Sequence, residues 1–313
     1  MIQPFRRKRH YLLSGRHSWF TSRLVYLVVF LVVAALAVTG LFAFSRREGA
    51  LPSAESVYRD WNGGNYAEAR DKAMKILSRR PLDGEMLSLR GFSAYYLSVS
   101  QVDSSESQAY LLESIISLRN AWYRVSTTDR VPIAYVLGKA YYQRGFYYAD
   151  LAMKYLDYAN SSGATYPDLS EFRGLAASLL GNYEVAIAAF TEALSGEPSD
   201  LLLFTLADCY RKNGDNEKAR QYFAETIRTT DDELLVLKCK GELAMMFLAD
   251  GKLEDAEREF LAILEKDANS ADAHYGLGVV YENRGDLVKA RASWRKAVRI
   301  SPVHAGARQK LGL

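Results

Sequence analysis

Four histidines, two cysteines and one short acidic run are the side chains of this sequence best suited to catalysis or metal binding, and their spacing keeps them apart. His10 and His17 lie in a basic stretch near one end, His274 and His304 near the other. A helical zinc site of the His-Glu-x-x-His kind needs two histidines on one helix face with a carboxylate beside them, and no such group occurs. Nor is there a glycine loop closing in Lys-Ser or Lys-Thr to cradle a phosphate, or a Gly-x-Ser-x-Gly nucleophile turn. Asp231, Asp232 and Glu233 read as a solvated turn. Nothing assembles an acid, a base and a nucleophile. The expectation is a protein that is not an enzyme, with no cofactor, no metal and no small-molecule substrate. Asn160-Ser161-Ser162 has the form of a glycosylation sequon and carries no further argument.

What has to be positioned is therefore a surface, and the charge distribution limits what that surface meets. The chain has 313 residues with 40 Lys/Arg and 37 Asp/Glu. Eight of the basic residues (Arg6, Arg7, Lys8, Arg9, Arg16, Arg23, Arg46, Arg47) and only one acid, Glu48, fall in residues 1–48, which leaves 32 basic and 36 acidic for 49–313. A mildly acidic body argues against general binding to a phosphate backbone, so no nucleic acid is expected. Cys209 and Cys239 are too few for a disulfide framework. Two buried thiols on helices, or a single bridge between them, are the two readings.

Residues 24–44 form an apolar run of 21 residues without a charge, enough for a helix to cross a bilayer core of roughly 30 Å. The basic tail, 1–23, outweighs Arg46 and Arg47 beyond the run, so the positive-inside bias puts the tail in the cytoplasm and the body across the membrane. A cleaved signal peptide is the competing reading, since Ala34, Ala35 and Ala37 are small; a signal-peptide core is normally about 7–15 residues, shorter than this run. An uncleaved signal anchor is expected, with 45–52 as a short linker. The run holds one glycine, Gly40, and so lacks a Gly-x-x-x-Gly association motif.

The body repeats itself. Between Ala271 and Pro302, Leu277, Gly278 and Tyr281 share one helical face, Gly285 marks a turn, and Ala290, Trp294 and Ala297 share a second helical face. Small residues at Gly278, Ala290 and Ala297 let two helices approach while Leu277, Tyr281 and Trp294 fill the space around them. Turn glycines recur at Gly64, Gly145, Gly181, Gly214, Gly251 and Gly285. This pattern resembles the tetratricopeptide (TPR) repeat, with its Leu-Gly, Tyr, Ala, Phe, Ala, Pro order over 34 residues. The resemblance implies an all-α fold, a right-handed solenoid of helical hairpins preceded by the one transmembrane helix. Over 50–304 it gives about seven units: 50–83, 84–130, 131–166, 167–199, 200–236, 237–270 and 271–304. Residues 305–313 read as a partial capping helix over the last unit. In the second unit the polar stretch 98–108 replaces the turn and reads as a loop, and the third fits only with two extra residues before Ala152. His274 falls where the family often has a large side chain, which favours a packed histidine.

In that family the first helix of each hairpin lines a concave groove. Carried over unit by unit, its groove positions select Tyr58 and Trp61; Phe92, Tyr95 and Tyr96; Tyr135, Lys139, Tyr142 and Gln143; Glu171, Leu175 and Leu179; Phe204, Asp208, Arg211 and Lys212; Lys238, Met245 and Leu248; and Asp272, Tyr275, Glu282 and Asn283. The front is aromatic, and tyrosine and tryptophan give large contact area at small conformational cost. Tyrosine is also a packing residue in such repeats, so Tyr141, Tyr210 and Tyr281 read as core. A Lys/Asn/Arg carboxylate clamp is not reproduced, because Asp208 and Met245 stand at its positions. The expected function is a membrane-anchored scaffold or adaptor binding protein or peptide segments during assembly of a bacterial envelope complex, its solenoid periplasmic. An import-type receptor on an organelle surface, or an accessory subunit or regulator of an envelope enzyme, are the alternatives.

Overall fold

Many of the helix boundaries follow from local chemistry repeated along the chain. At most of the hairpin turns a glycine in the left-handed region follows the first helix, and at several of them an Asx side chain caps the second. Gly285 has φ +82°, the Asp286 N–H reaches back to the Tyr281 carbonyl at 2.9 Å, and the Asp286 carboxylate accepts from the Lys289 N–H at 3.0 Å. The same backward bond, also 2.9 Å, runs from Asn65 to Asp60, Asn182 to Ala177, Asp215 to Tyr210 and Lys252 to Phe247. All six turn glycines anticipated from the sequence have positive φ.

The computed structural model describes residues 30, 32–36, 51–195 and 199–313. These fall in two units, 1–56 and 57–313. In the first, Phe30 and residues 32–36 are helical. The rest of the apolar run, the basic tail and most of the linker lie outside the described residues, as does Pro198. Among the described residues no helix is long and apolar enough to cross a membrane.

From residue 54 onward fifteen α-helices follow. The first three hairpins are α1 (Ala54–Asn62) with α2 (Tyr66–Leu77), α3 (Gly84–Ser100) with α4 (Ser104–Trp122), and α5 (Arg130–Gln143) with α6 (Ala149–Ser161). The next four are α7 (Leu169–Leu179) with α8 (Tyr183–Ala193), α9 (Asp200–Lys212) with α10 (Asn216–Thr229), α11 (Glu233–Ala249) with α12 (Leu253–Lys266), and α13 (Ala271–Asn283) with α14 (Leu287–Ile300). Helix α15 (Ala305–Leu311) covers the last hairpin. From α2 onward each helix packs on the next, and the first helices α3, α5 and α7, like α11 and α13, also touch one another. This is an all-α helical solenoid.

The core sits between the two helices of each hairpin and between neighbours, where Ala, Leu and aromatic side chains are fully buried. Close approach depends on small residues. A Cβ added at Gly278 would lie well under 3.0 Å from Trp294 Nε1, so only glycine leaves room for the indole there.

One local expectation needs correction. Residues 98–108 are not a loop: α3 continues to Ser100, α4 begins at Ser104, and only Gln101–Asp103 lies between. The serine hydroxyls are absorbed by helix carbonyls, Ser98 Oγ to Tyr95 O at 2.7 Å and Ser100 Oγ to Leu97 O at 2.9 Å. Asp103 caps α4 by accepting from the Ser105 and Glu106 N–H groups. The inserted residues lengthen both helices. In the third hairpin the extra residues form a 3-10 turn, Phe146–Tyr148, in front of α6.

Candidate partner-binding face

The first helices of the front three hairpins put their aromatic residues on one face. Trp61 at the end of α1 lies 5.9 Å from Phe92 and 5.5 Å from Tyr96, both on α3. Tyr66, on α2, closes the group by stacking on Tyr96 at 4.7 Å. On α3 the i, i+3 and i+4 spacing of Phe92, Tyr95 and Tyr96 places these rings on neighbouring positions. Tyr58 and Tyr96 are 38% and 39% exposed, whereas Tyr95 is only 4% exposed. Tyr95 is thus a support for the face and offers little area of its own. Its hydroxyl accepts from Gln143 Nε2 on α5 at 3.2 Å, which ties the second hairpin to the third, and burial raises its phenol well above the ordinary range.

Lys139 is the centre of the next group. Its ammonium lies 4.9 Å from the Tyr135 ring and 4.6 Å from the Phe172 ring. It donates to Asp168 Oδ2 at 2.6 Å and to the Tyr135 hydroxyl at 3.0 Å. The Tyr135 hydroxyl in turn donates to Asp168 Oδ1. Burial, then the bond to Asp168, raises the Tyr135 phenol, so it stays a donor. Tyr135 stacks on Tyr166 at 4.0 Å, and Tyr142 meets Phe172 edge-on at 5.5 Å. A cation held among aromatic faces and a carboxylate is a rigid, pre-paired element.

In the back four hairpins several of the selected positions are engaged internally. Phe204 is 8% exposed, with Lys238 Nζ 4.5 Å over its ring. Asp208 pairs with Arg211 at 2.6 Å and Lys212 at 2.8 Å. Burial alone would raise the Asp208 carboxyl, but these two cations hold it below the usual carboxylate range. Arg211 also faces Glu242 at 3.4 Å. Glu282 pairs with Lys310, the Asn283 amide donates to the Val279 carbonyl at 2.9 Å, and Tyr275 packs against His304 at 4.9 Å. Met245 stands free, 44% exposed.

Sequence reasoning selected Trp61, Tyr96, Tyr135, Lys139 and Tyr142 but omitted their partners Tyr66, Tyr166, Asp168 and Phe172. Asp168 and Tyr166 precede α7 and Tyr66 opens α2, positions that a rule about first-helix side chains passes over. Phe172 lies on α7 itself and had a findable signal, its place one turn after Asp168.

Two clefts are lined in part by these positions. One of about 610 Å³ is lined by Tyr58, Trp61, Glu85, Phe92, Arg124 and Asp129, among others. The other, of about 590 Å³, lies near Gly241, Met245, Tyr275 and His304. Among the described residues no group of three His, Cys, Asp or Glu is arranged to hold a metal. Cys209 and Cys239 are both buried free thiols, not a bridge. His274 is packed, its ring bonded to the Ala268 carbonyl at 3.2 Å, and burial lowers its pKa below the ordinary value.

Residues 173–233 and 242–305 match the model of the tetratricopeptide repeat family. Over 98 residues the chain is 33% identical to the photosystem I assembly protein Ycf3 of Acaryochloris marina, a match that takes in 28% of this chain and 57% of that protein. The chain thus spans little more than half the length of that relative. Among solved structures, the C-terminal part of a TPR repeat-containing protein from Cytophaga hutchinsonii is similar, with a TM-score of 0.57 at 17% identity, covering 83% of this chain and 99% of that one. YrrB, described as a TPR protein with an unusual peptide-binding site, aligns with a TM-score of 0.47 at 21% identity over 63% of this chain and 98% of its own. The fold is that of a TPR helical solenoid, and residues 173–233 and 242–305 are similar to tetratricopeptide repeats.

Proposed function

We propose that this protein is a non-enzymatic, membrane-anchored TPR scaffold that holds segments of partner proteins against the aromatic face of its front hairpins during assembly of a membrane complex. The observation that carries this reading is the run of rings from Tyr58 through Trp61 and Tyr96 to Tyr142, Trp61 and Tyr96 packed on each other and Tyr142 on Phe172, beside the Lys139–Asp168 pair. Rigid, pre-placed aromatic side chains lose little entropy on contact and dominate the energetics of interfaces. The limited likeness to a protein named for photosystem I assembly favours an assembly role over a passive one.

The anchor is the uncharged run 24–44, and its described part, Phe30 and 32–36, is helical with Phe30, Val32 and Val33 exposed. The basic tail orients it, so the solenoid lies on the far side of a bacterial cytoplasmic membrane, in the periplasm. A photo-crosslinking residue placed at Tyr142 of the full chain in cells should trap discrete partner bands. The same residue at the outward Leu261 should trap none, and equal trapping at both would remove the groove reading. An alkaline phosphatase fused after Leu313 should be active. An inactive fusion with an active cytoplasmic reporter would overturn the topology.

A further inference from the structure

We infer that the cleft between the first two hairpins receives the guanidinium of an arginine side chain presented by the partner segment. This rests on the partner-binding reading above and adds the chemistry of one contact. The walls are the rings of Tyr58, Trp61 and Phe92, and the polar groups are Glu85, Asp129 and Arg124. Glu85 and Asp129 are without an ion-pair partner among the described residues. Further along the same face Asp168, Asp208, Asp272 and Glu282 each have a basic partner within the chain. Asp129 is held in place by the Ser126 hydroxyl, which donates to its Oδ2 at 2.6 Å. The cation in the wall, Arg124, donates from its guanidinium to the Asn120 carbonyl and makes no ion pair among the described residues.

A cleft with three aromatic walls and two carboxylates that have a hydroxyl partner each, Tyr58 for Glu85 and Ser126 for Asp129, but no ion-pair partner among the described residues selects against most occupants. An acidic side chain meets repulsion, and a neutral aliphatic one strips water from two carboxylates without replacing it. A guanidinium satisfies both demands, because it stacks on aromatic faces, is weakly hydrated, and bonds carboxylates in a forked geometry. The volume also leaves room for the arginine stem and its neighbours on the segment.

The test uses the full chain purified in detergent and seven-residue peptide pools with a fixed centre and randomised flanks. The centres are arginine, citrulline, lysine and glutamate, citrulline being the uncharged isostere of arginine. The expected result is at least tenfold tighter binding of the arginine pool than the citrulline pool, with lysine between them and glutamate weakest. In the Glu85→Gln/Asp129→Asn double variant the arginine preference should vanish. Equal binding of arginine and citrulline pools to the unaltered chain, a comparison that needs no variant to fold, overturns the inference. So does a lysine pool that outbinds arginine, or a preference that survives the double variant. If no pool binds while crosslinks from Tyr142 persist in cells, this inference fails and the groove reading stands.

Discussion

The front three hairpins and the back four solve the same packing problem with different residues. In the back, a small residue on each first helix receives an aromatic ring from the second: Phe190 against Gly174 and Trp294 against Gly278, with Phe223 and Phe260 buried in their own clusters beside Ala207 and Ala244. In the front, leucines take that place, Leu118 against Gly91 and Leu156 against Gly138. Rings that the back spends inside its hairpins are set, in the front, on the exposed face and in the junctions. The helices there are also irregular, with α4 lengthened to 19 residues and a 3-10 turn set before α6. In a stack where each unit leans only on its neighbours, regular units can supply stability while irregular ones carry a site.

The strongest way to break this contrast is to remove a ring from the back. Phe223 is fully buried, and Phe223→Ala should cost about 3–5 kcal/mol in urea unfolding. Because coupling is between neighbours, amide exchange should rise over 200–249 and stay unchanged over 84–143. Uniform deprotection of both regions would show that the halves are one cooperative unit.

The front has its own lock. Glu113 on α4 accepts from Arg70 Nε at 3.0 Å and Nη2 at 2.8 Å, and from Arg90 Nε at 2.7 Å, joining the first two hairpins. Burial pushes its carboxyl up, but the two guanidinium groups outweigh that and hold it below the usual range. A depressed carboxyl contributes stability that is complete above its ordinary value near 4.5 and is lost as pH falls through the lower folded value. Glu113→Gln should cost about 1.5–3 kcal/mol at pH 7 and should flatten the loss between pH 5 and pH 3. A variant with the same acid profile as the parent would remove the lock from the account.

The contrast also explains what could be read from the sequence. Gly64, Gly181, Gly214, Gly251 and Gly285 announced their turns because a left-handed residue is required there and glycine adopts it most readily. Buried Gly278, Ala290 and Ala297 were equally legible, since close helix approach tolerates only small residues. The stretch 98–108 misled because its serines and Asp103 are turn formers by composition. Their hydroxyls bond helix carbonyls and the aspartate caps a helix, an outcome decided by neighbours in space. Exposure of individual rings was not legible either. Tyr95 and Tyr96 are adjacent in sequence, yet one is buried and the other open, because Gln143 and Lys139 from the next hairpin cover only Tyr95.

Binding sharpens the comparison at smaller cost. Tyr142 is half-buried against Phe172, so Tyr142→Ala should weaken partner capture by about 1–2 kcal/mol, the range of an interface anchor. Met245→Ala, more exposed but in the back, should leave capture unchanged. Pull-down titrations from detergent extract give both values, and a larger loss at Met245 would move the site to the other cleft.

The smallest effect concerns a single thiol in the back. Cys239 is fully buried on α11, and burial, only partly offset by a hydrogen bond with Thr226, pushes its pKa up to about 11 from an ordinary value of 9.0. Stabilisation from keeping this thiol neutral is complete below pH 9 and is lost as pH rises toward 11, since the unfolded chain releases its proton first. Alkylation of Cys239 in a Cys209→Ala background should therefore be slow at pH 8 and accelerate above pH 9. Phe223→Ala should speed it at every pH, because Phe223 shares its cluster, whereas Glu113→Gln should not. If the front variant accelerates labelling as much as the back one, the two regions open together and the division of labour between them is lost.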